Sequence, residues 1–186
     1  MTETSPSYGG EAPSQHRAYA PKSIACAVLT VSDSRTIADD TSGKLIAELL
    51  AASGHGARER QIVPDDADAI RLAVLRVLAR ADIAALIATG GTGVSPRDVT
   101  PDTLEPLFEK RLLGFGELFR MLSYQEIGAA AVLSRATAGT ASGKVIYVLP
   151  GSSGAVRLAM EKLILPELAH IVGQLRRADA PPTGVR

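Results

Sequence analysis

A glycine-rich loop followed by a charged pair contains the residue types best suited to binding an anion. An apolar run over residues 84–88 ends in Thr89-Gly90-Gly91-Thr92-Gly93, and Arg97 and Asp98 follow shortly after. Glycines lack side chains, so backbone N–H groups can approach phosphate oxygens closely, and the threonine hydroxyls add donors. A short strand that runs into such a loop commonly presents backbone amides to phosphate groups in α/β proteins. The stretch predicts a phosphate-binding site, with a tight strand-to-helix turn as the structural alternative.

The loop does not match either of two common nucleotide-binding glycine motifs. Val94-Ser95-Pro96 follows it, without the third glycine of the dinucleotide fingerprint. Two Ser-Gly-Lys triplets, at residues 42–44 and 142–144, lack both the earlier glycine and the following Ser or Thr of a P-loop. The loop therefore has to be interpreted together with the other polar loops of the chain.

Strand-length apolar runs alternate with amphipathic stretches, and this order predicts an α/β fold. The predicted strands cover residues 24–31, 58–63, 84–88, 135–141 and 144–149. The predicted helices cover residues 42–53, 67–80, 101–108, 116–126 and 155 onward, the last interrupted at Pro166. We expect a three-layer αβα sandwich with a mostly parallel sheet, in which residues 135–141 and 144–149 form a strand pair.

Three local expectations follow from the helix patterns. Thr100 is expected to be the N-cap of the third helix, with proline as its first helical residue. In the next helix Leu118, Phe119 and Leu122 are expected to share an inward face. Leu163, in the last helix, is expected to be a buried core leucine.

Polar loops follow the predicted strands at the edge where open α/β sheets bind their ligands. Because the carboxyl ends of parallel strands meet at one edge, these loops are expected to converge. They are Ser32-Asp33-Ser34-Arg35, Pro64-Asp65-Asp66, the Gly90–Gly93 loop and Gly151-Ser152-Ser153-Gly154.

Each aspartate near this edge also has a structural interpretation. Asp33, Asp65 and Asp98 fit turn or capping positions, and the Asp39-Asp40 pair fits the start of the first helix. Taken together, carboxylates beside two glycine loops indicate a site for a phosphorylated ligand. Mg²⁺ held by the carboxylates would neutralise the phosphate charge, because Mg²⁺ prefers oxygen ligands.

Composition argues against several classes of function. Twenty basic and twenty acidic residues give a net charge of zero, and tryptophan is absent, which argues against nucleic-acid binding. Cys26 is the only cysteine and the three histidines are scattered, so neither a disulfide nor a zinc site is expected. No apolar run approaches the ~18 residues of a membrane span. The N-terminus has no signal-peptide pattern, so we expect a cytoplasmic protein without a membrane partner.

The chain length indicates one folded domain with polar ends. Residues 1–21 are rich in Ser, Pro, Gly and Glu and are predicted to be a disordered tail. Residues 22–176 are predicted to form the α/β domain, and residues 177–186 a flexible C-terminal end.

Six motifs in this order resemble the MoaB/MogA family of molybdenum cofactor biosynthesis proteins, over about residues 23–173. The motifs are TVSDSR, DDTSG, GGTGVSPRDVTPD, GFGELFRMLSYQEIG, LSRATAG and LPGSSGAV. The resemblance implies a molybdopterin-binding α/β domain that assembles as trimers or as hexamers. For MogA-type members it implies an adenylyl transfer, in which the terminal phosphate of molybdopterin attacks the α-phosphate of Mg-ATP and pyrophosphate leaves.

The resemblance also implies roles for individual residues. Asp65 and Asp98 match the two aspartates that adenylyltransferase members need, and both are assigned to Mg²⁺-ATP handling and catalysis. The ligand-binding residues implied by matching loops are Ser32, Asp33, Ser34, Arg35, Gly90, Gly91, Thr92, Gly93, Ser95, Gly151, Ser152 and Ser153. Which loop holds the pterin and which the adenylate stays open.

Three functions remain open at this point. The GFGELFRMLSYQEIG segment is MoaB-like, and some MoaB proteins replace the residue matching Asp98, whereas this chain retains both Asp65 and Asp98. Their retention favours a molybdopterin adenylyltransferase. The first alternative is a non-catalytic molybdopterin-binding protein of the same pathway. The second is an oligomeric scaffold whose glycine loops are only turns.

Overall fold

The computed structural model describes residues 21–177, which fold around a six-stranded sheet with helices on both faces. The strands are β1 (Ala25–Val31), β2 (Gly56–Val63), β3 (Ala85–Thr89), β4 (Lys110–Arg111), β5 (Thr137–Ala141) and β6 (Lys144–Leu149). The helices are α1 (Thr41–Ala52), α2 (Ala67–Leu78), α3 (Thr100–Leu104), α4 (Leu113–Ile127), α5 (Ser153–Ala159) and α6 (Leu165–Arg177). Two 3-10 segments, Glu105–Leu107 and Gly128–Leu133, follow α3 and α4, and a π-helical segment, Met160–Ile164, joins α5 to α6.

The predicted ends of the chain lie almost entirely outside the described residues. The disordered tail expected over residues 1–21 and the flexible end expected over 177–186 have only residues 21 and 177 within that range. None of the helices in residues 21–177 is long and apolar enough to cross a membrane.

The strand order is β2-β1-β3-β6-β5-β4, and four neighbouring strands are parallel. β5 runs antiparallel to β6, and the short β4 runs antiparallel to β5. Ser142 and Gly143, with φ of 50° and 69°, connect β5 to β6 by the left-handed conformations that tight hairpins require. The mostly parallel α/β sandwich predicted from the sequence is confirmed.

The core lies in two layers, one on each face of the sheet. Side chains alternate along β3, so Ile87 packs among α1, α4, α5 and α6 while Leu86 packs against α2 and α3. Both side chains are fully buried. Central strands covered on both faces are apolar throughout, which explains the continuous apolar runs in the sequence.

The start of α2 and the end of α1 show the expected capping residues, whereas the helix around Pro166 differs from the expectation. Asp66 caps α2 by accepting a hydrogen bond from the Ala69 amide at 2.8 Å, and Gly54, with φ of 77°, follows the end of α1. Pro166 was expected to interrupt the last helix. The chain instead stays helical, because the wider π-helical segment that ends at Ile164, two residues before Pro166, accommodates the missing backbone donor.

Three predicted side-chain positions were wrong. Val99, not Thr100, is the N-cap of α3, because the Thr100 amide bonds to the Gly91 carbonyl at 3.1 Å and Thr100 becomes the first helical residue. Leu118 is 47% exposed, because α4 turns Phe119 toward the core instead. Leu163 is only half-buried at the edge of the core. The fully buried leucine of the last helix is Leu168.

Candidate functional site

Three loops at the carboxyl edge of the sheet meet at Gly90. Its amide donates to the Leu149 carbonyl at the end of β6 over 3.0 Å, and its φ of 104° is a conformation that favours glycine. A side chain on Gly90 would collide with the Val31 carbonyl at the end of β1. A Cβ on Gly151 would lie 3.4 Å from the Gly90 Cα. The predicted convergence of the two glycine loops with the end of β1 is therefore confirmed.

Asp33 connects the ends of β1 and β2 to the first glycine loop. One carboxylate oxygen accepts a hydrogen bond from the Asp65 amide at 3.1 Å, and the other forms an ion pair with Arg97. Burial raises the pKa of Asp65, and the carboxylates of Asp33 and Asp98 lie close enough to raise it further. The three aspartates thus form one cluster, in which Arg97 already has a carboxylate partner.

The two glycine loops border a cleft of about 360 Å³, here called the glycine cleft. The opposite wall is the face of α4 that presents Phe119, Ser123 and Ile127 at four-residue spacing, together with Leu133. Among the residues that line the cleft, Asp98 is the only one with a charged side chain. The cleft therefore combines a polar backbone floor with an apolar wall, which suits a flat ring that carries a phosphate group.

The backbone of the first glycine loop has donors available to a ligand. Within residues 21–177, the amides of Gly91, Thr92 and Gly93 make no hydrogen bond to another residue. Successive free amides around residues with positive φ form the kind of concave surface that binds anions. This loop fits a phosphate without any help from a lysine or arginine side chain.

Asp98 and Arg135 hold the segment that follows this loop. The Asp98 carboxylate accepts a hydrogen bond from the Ser95 amide at 2.9 Å, so part of its role is structural. Arg135 donates to the Gly93 carbonyl at 2.8 Å, to the Asp98 carbonyl and to the Asp102 carboxylate at 2.7 Å. Sequence reasoning did not assign a role to Arg135, although its motif, LSRATAG, was one of those that carried the resemblance.

Behind Gly91 lie two buried oxygen atoms that have no hydrogen-bond partner among the described residues. They are Asp65 Oδ1 and Thr100 Oγ1, and a Cβ on Gly91 would overlap both. Burial raises the pKa of Asp65, and the charges of Asp33 and Asp98 raise it further while Arg97 lowers it. We call this place the Asp65–Thr100 niche. Thr100 was predicted only as a helix cap, so its position beside a carboxylate is new.

The structure brings together most of the predicted site residues, but not all. Gly90, Gly91, Thr92, Gly93, Asp98, Gly151 and Ser152 line the glycine cleft. Ser95 lies in a smaller adjoining cavity with Arg135, and Ser153 begins α5 without lining the cleft.

The loop after β1 makes hydrogen bonds within itself. The Ser32 hydroxyl accepts from the amides of Ser34 and Arg35 at 3.3 Å each, and the Arg35 guanidinium donates to the Asp39 carbonyl at 2.7 Å. The Ser32 amide also donates to the Val63 carbonyl at the end of β2, at 2.9 Å, and among the side chains of Ser32 to Arg35 only that of Asp33 has a hydrogen bond or ion pair to another loop of the site within the described residues. Their assignment as ligand-binding residues stays a prediction.

A family model and several curated proteins match the sequence of this chain. Residues 27–170 match the family model described as a probable molybdopterin binding domain. The chain is 50% identical, over 164 residues, to the molybdenum cofactor biosynthesis protein B of Bacillus anthracis, covering 88% of this chain and 97% of that protein.

Solved structures show the same similarity in three dimensions. A crystal structure of a molybdenum cofactor biosynthesis protein B superposes with a TM-score of 0.83 at 51% identity, over 85% of this chain and 99% of the other. The tungsten cofactor synthesizing protein MoaB from Pyrococcus furiosus superposes with a TM-score of 0.76 at 39% identity, over 84% and 99% of the two chains.

Proposed function

The chain belongs to the molybdopterin-binding domain family of molybdenum cofactor biosynthesis, and we propose that it is a molybdopterin adenylyltransferase. In the proposed reaction a terminal phosphate oxygen of molybdopterin forms a bond to the α-phosphorus of ATP. The bond from that phosphorus to the bridging oxygen of the β-phosphate breaks, and pyrophosphate leaves. The observation that carries the proposal is the glycine cleft, whose lining combines residues with free backbone amides and an apolar wall.

The proposed chemistry needs positioning more than it needs a strong base. A phosphate nucleophile is already ionised at neutral pH, so catalysis depends on alignment and on charge stabilisation. The amides of Gly91, Thr92 and Gly93 are suited to hold phosphate oxygens, and Phe119 and Ile127 are suited to pack against a ring. Arg135 would keep the Gly93 and Asp98 carbonyls in place while the ligand binds.

The residues of the site fit Mg²⁺. Asp65 Oδ1 is buried without a hydrogen-bond partner, and Mg²⁺ is commonly held by one or two carboxylates with substrate phosphates and water. Asp65 and Asp98 are the proposed carboxylates. When bound, the ion would supply positive charge to the phosphates, which matters here because the cleft has no basic side chain among its lining residues.

The test is release of pyrophosphate from Mg²⁺-ATP in the presence of purified molybdopterin. The native chain is compared with Asp98→Asn and with Asp68→Asn, a control that changes an exposed aspartate on α2 outside the cleft. We expect release by the native chain and the control, and a loss of about 100-fold or more in Asp98→Asn, because an isosteric amide removes charge from the site.

The outcome also separates the proposed enzyme from a non-catalytic molybdopterin-binding protein. One feature favours that second function, namely that the cleft has no side-chain cation among its lining residues to stabilise a transferring phosphate. Binding of molybdopterin without pyrophosphate release from any variant would reject the transferase and establish the binding protein. Unchanged turnover in Asp98→Asn would reject the role assigned to Asp98.

We also propose that the chain forms a trimer or a hexamer through the outer face of α4 and of the 3-10 segment that follows it. Leu118, Met121, Tyr124 and Val132 are between 47% and 81% exposed, and three of them border one apolar depression. Exposed apolar patches of this kind mark protein interfaces. Light scattering after size-exclusion chromatography should give three or six times the chain mass of 19.4 kDa, and Met121→Glu should lower it. A monomeric native chain would reject the proposal.

A further inference from the structure

We propose that a divalent cation binds in the Asp65–Thr100 niche and that Thr100 Oγ1 is one of its ligands. The inference deepens the proposed function, because it assigns to the Mg²⁺ of that reaction a ligand that no sequence pattern indicated. It rests on two buried oxygens, one acidic and one neutral, that lie against the same side of Gly91.

The first argument is that both oxygens are buried and unsatisfied. Thr100 is fully buried, yet its hydroxyl has no hydrogen-bond partner among residues 21–177, and the same holds for Asp65 Oδ1. Buried polar atoms are nearly always hydrogen-bonded or bound to an ion, because leaving them unpaired costs the desolvation of the group. The two atoms do not bond to each other, so a third group between them would satisfy both.

The second argument is the shape of the niche. A Cβ on Gly91 would overlap Asp65 Oδ1 and Thr100 Oγ1, so only glycine leaves both oxygens accessible to an ion. The Thr100 amide bonds to the Gly91 carbonyl at 3.1 Å, which holds the start of α3 against the loop. Since Gly91 also lines the glycine cleft, an ion in the niche would lie next to a ligand phosphate there.

The third argument is charge. The carboxylate of Asp65 belongs to the niche, those of Asp33 and Asp98 act on it electrostatically, and the charged groups that act on Asp65 include only one cation, Arg97. Arg97 is already paired with Asp33. The niche therefore has an excess of negative charge and offers oxygen atoms only, and this donor set prefers a hard ion such as Mg²⁺ or Mn²⁺.

The test measures binding of Mn²⁺ alone to the full chain, by electron paramagnetic resonance of the free ion. The native chain is compared with Thr100→Val, which removes the hydroxyl and keeps the shape, and with Thr100→Ser, which keeps the hydroxyl. Thr103→Val is the matched control, because Thr103 is a buried threonine of the same helix whose hydroxyl bonds to the Val99 carbonyl at 2.8 Å.

We expect the native chain, Thr100→Ser and Thr103→Val to bind Mn²⁺ with similar affinity. Thr100→Val should bind it at least about tenfold more weakly, as expected for the loss of a group that a metal site depends on. Circular dichroism and thermal unfolding establish that each variant is folded.

Two outcomes would overturn the inference. Equal affinity of native and Thr100→Val chains would exclude the Thr100 hydroxyl as a ligand, and absence of Mn²⁺ binding to the folded native chain would mean that the niche holds water. Neither result depends on molybdopterin or on turnover. A Thr100-dependent Mn²⁺ site in a chain that releases no pyrophosphate would support the niche and reject the transferase.

Discussion

Two aspartates of this protein each lie beside a threonine hydroxyl and a glycine, but only one of the two carboxylates is fully hydrogen-bonded. Asp40 lies beside Thr30 and Gly43, and Asp65 lies beside Thr100 and Gly91. In both places a Cβ on the glycine would overlap a carboxylate oxygen and a threonine oxygen. The two clusters are built from the same three residue types and differ in what surrounds them.

The Asp40 cluster is closed. Its carboxylate accepts from the Gly43 amide at 2.8 Å, from the Thr30 hydroxyl and the Arg60 guanidinium at 3.0 Å, and from the Ser42 hydroxyl at 3.2 Å. Burial by itself would raise the pKa of Asp40, but these hydrogen bonds outweigh it and the pKa lies below the ordinary value. A buried carboxylate with four donors stabilises the fold, so the role of Asp40 is structural.

The Asp65 cluster is open. Asp65 Oδ1 and the Thr100 hydroxyl have no hydrogen-bond partner among the described residues. Burial raises the pKa of Asp65, and no hydrogen bonds offset it as they do at Asp40. Such a carboxylate weakens the fold unless a ligand completes it. Unsatisfied polar atoms, and not the residue types themselves, therefore distinguish a candidate site from a structural cap.

Removing the carboxylate of Asp40 should give the largest loss of stability among the variants considered. Asp40→Ala leaves Arg60 without its ion-pair partner and should cost about 3–5 kcal/mol, as for other broken buried pairs. Urea denaturation followed by circular dichroism measures the change. The control is Glu48→Ala, whose exposed pair with Lys44 on the same helix should contribute about 0.5 kcal/mol or less. Similar losses in both variants would contradict the closed-cluster description.

Replacement of Arg135 should give the second-largest loss of stability, because Arg135 holds the backbone of the glycine loop near the open Asp65 cluster. Arg135→Met removes hydrogen bonds to the Gly93 and Asp98 carbonyls and should cost about 1–3 kcal/mol, with weaker molybdopterin binding. Arg157→Met is the matched control, since Arg157 forms only an exposed helix pair with Glu161. If both arginine variants bind molybdopterin like the native chain, Arg135 does not position the loop.

Asp65→Asn should change the stability of the fold less than the Asp40 and Arg135 variants do, and it should raise the stability instead of lowering it. Because the ionised form of Asp65 is disfavoured in the folded state, an uncharged amide should raise the midpoint of thermal unfolding at neutral pH while pyrophosphate release is lost. Asp68→Asn, at an exposed position, should leave both quantities close to native. A lower unfolding midpoint in Asp65→Asn would indicate that Asp65 is satisfied in the fold.

The smallest expected effect is on the pH dependence of the free energy of unfolding. The contributions of Asp65 and Asp40 to this dependence should have opposite signs. The folded pKa of Asp65 is raised, so its contribution to the free energy of unfolding should fall as pH rises from 3.8 through the folded pKa. The folded pKa of Asp40 is lowered, so its contribution should be lost as pH falls below 3.8. Urea titrations of the native, Asp65→Asn and Asp40→Asn chains at a series of pH values on both sides of 3.8 give the contribution of each aspartate to the free energy of unfolding. If both contributions changed with pH in the same direction, the contrast between the open and the closed cluster would be wrong.

Much of the fold and part of the site could be predicted from local sequence. The apolar run of β3 reflects burial on both faces of the sheet, and the amphipathic pattern of α2 reflects burial on one face of the helix. The predicted ends of both elements lie within two residues of the observed ends. Convergence of the loops at Gly90 followed from the parallel order of the strands, because their carboxyl ends share one edge.

The layered fold, the edge that carries the glycine loops and the family of the chain therefore follow from local residue patterns. Which aspartate is a helix cap and which has unsatisfied oxygens depends on contacts between distant parts of the chain. The partners of Asp40 include Arg60, twenty residues away, and Arg135 reaches Gly93 across 42 residues. Hydrogen-bond satisfaction depends on distances between groups remote in the chain, and a local pattern of residue types contains no information on those distances.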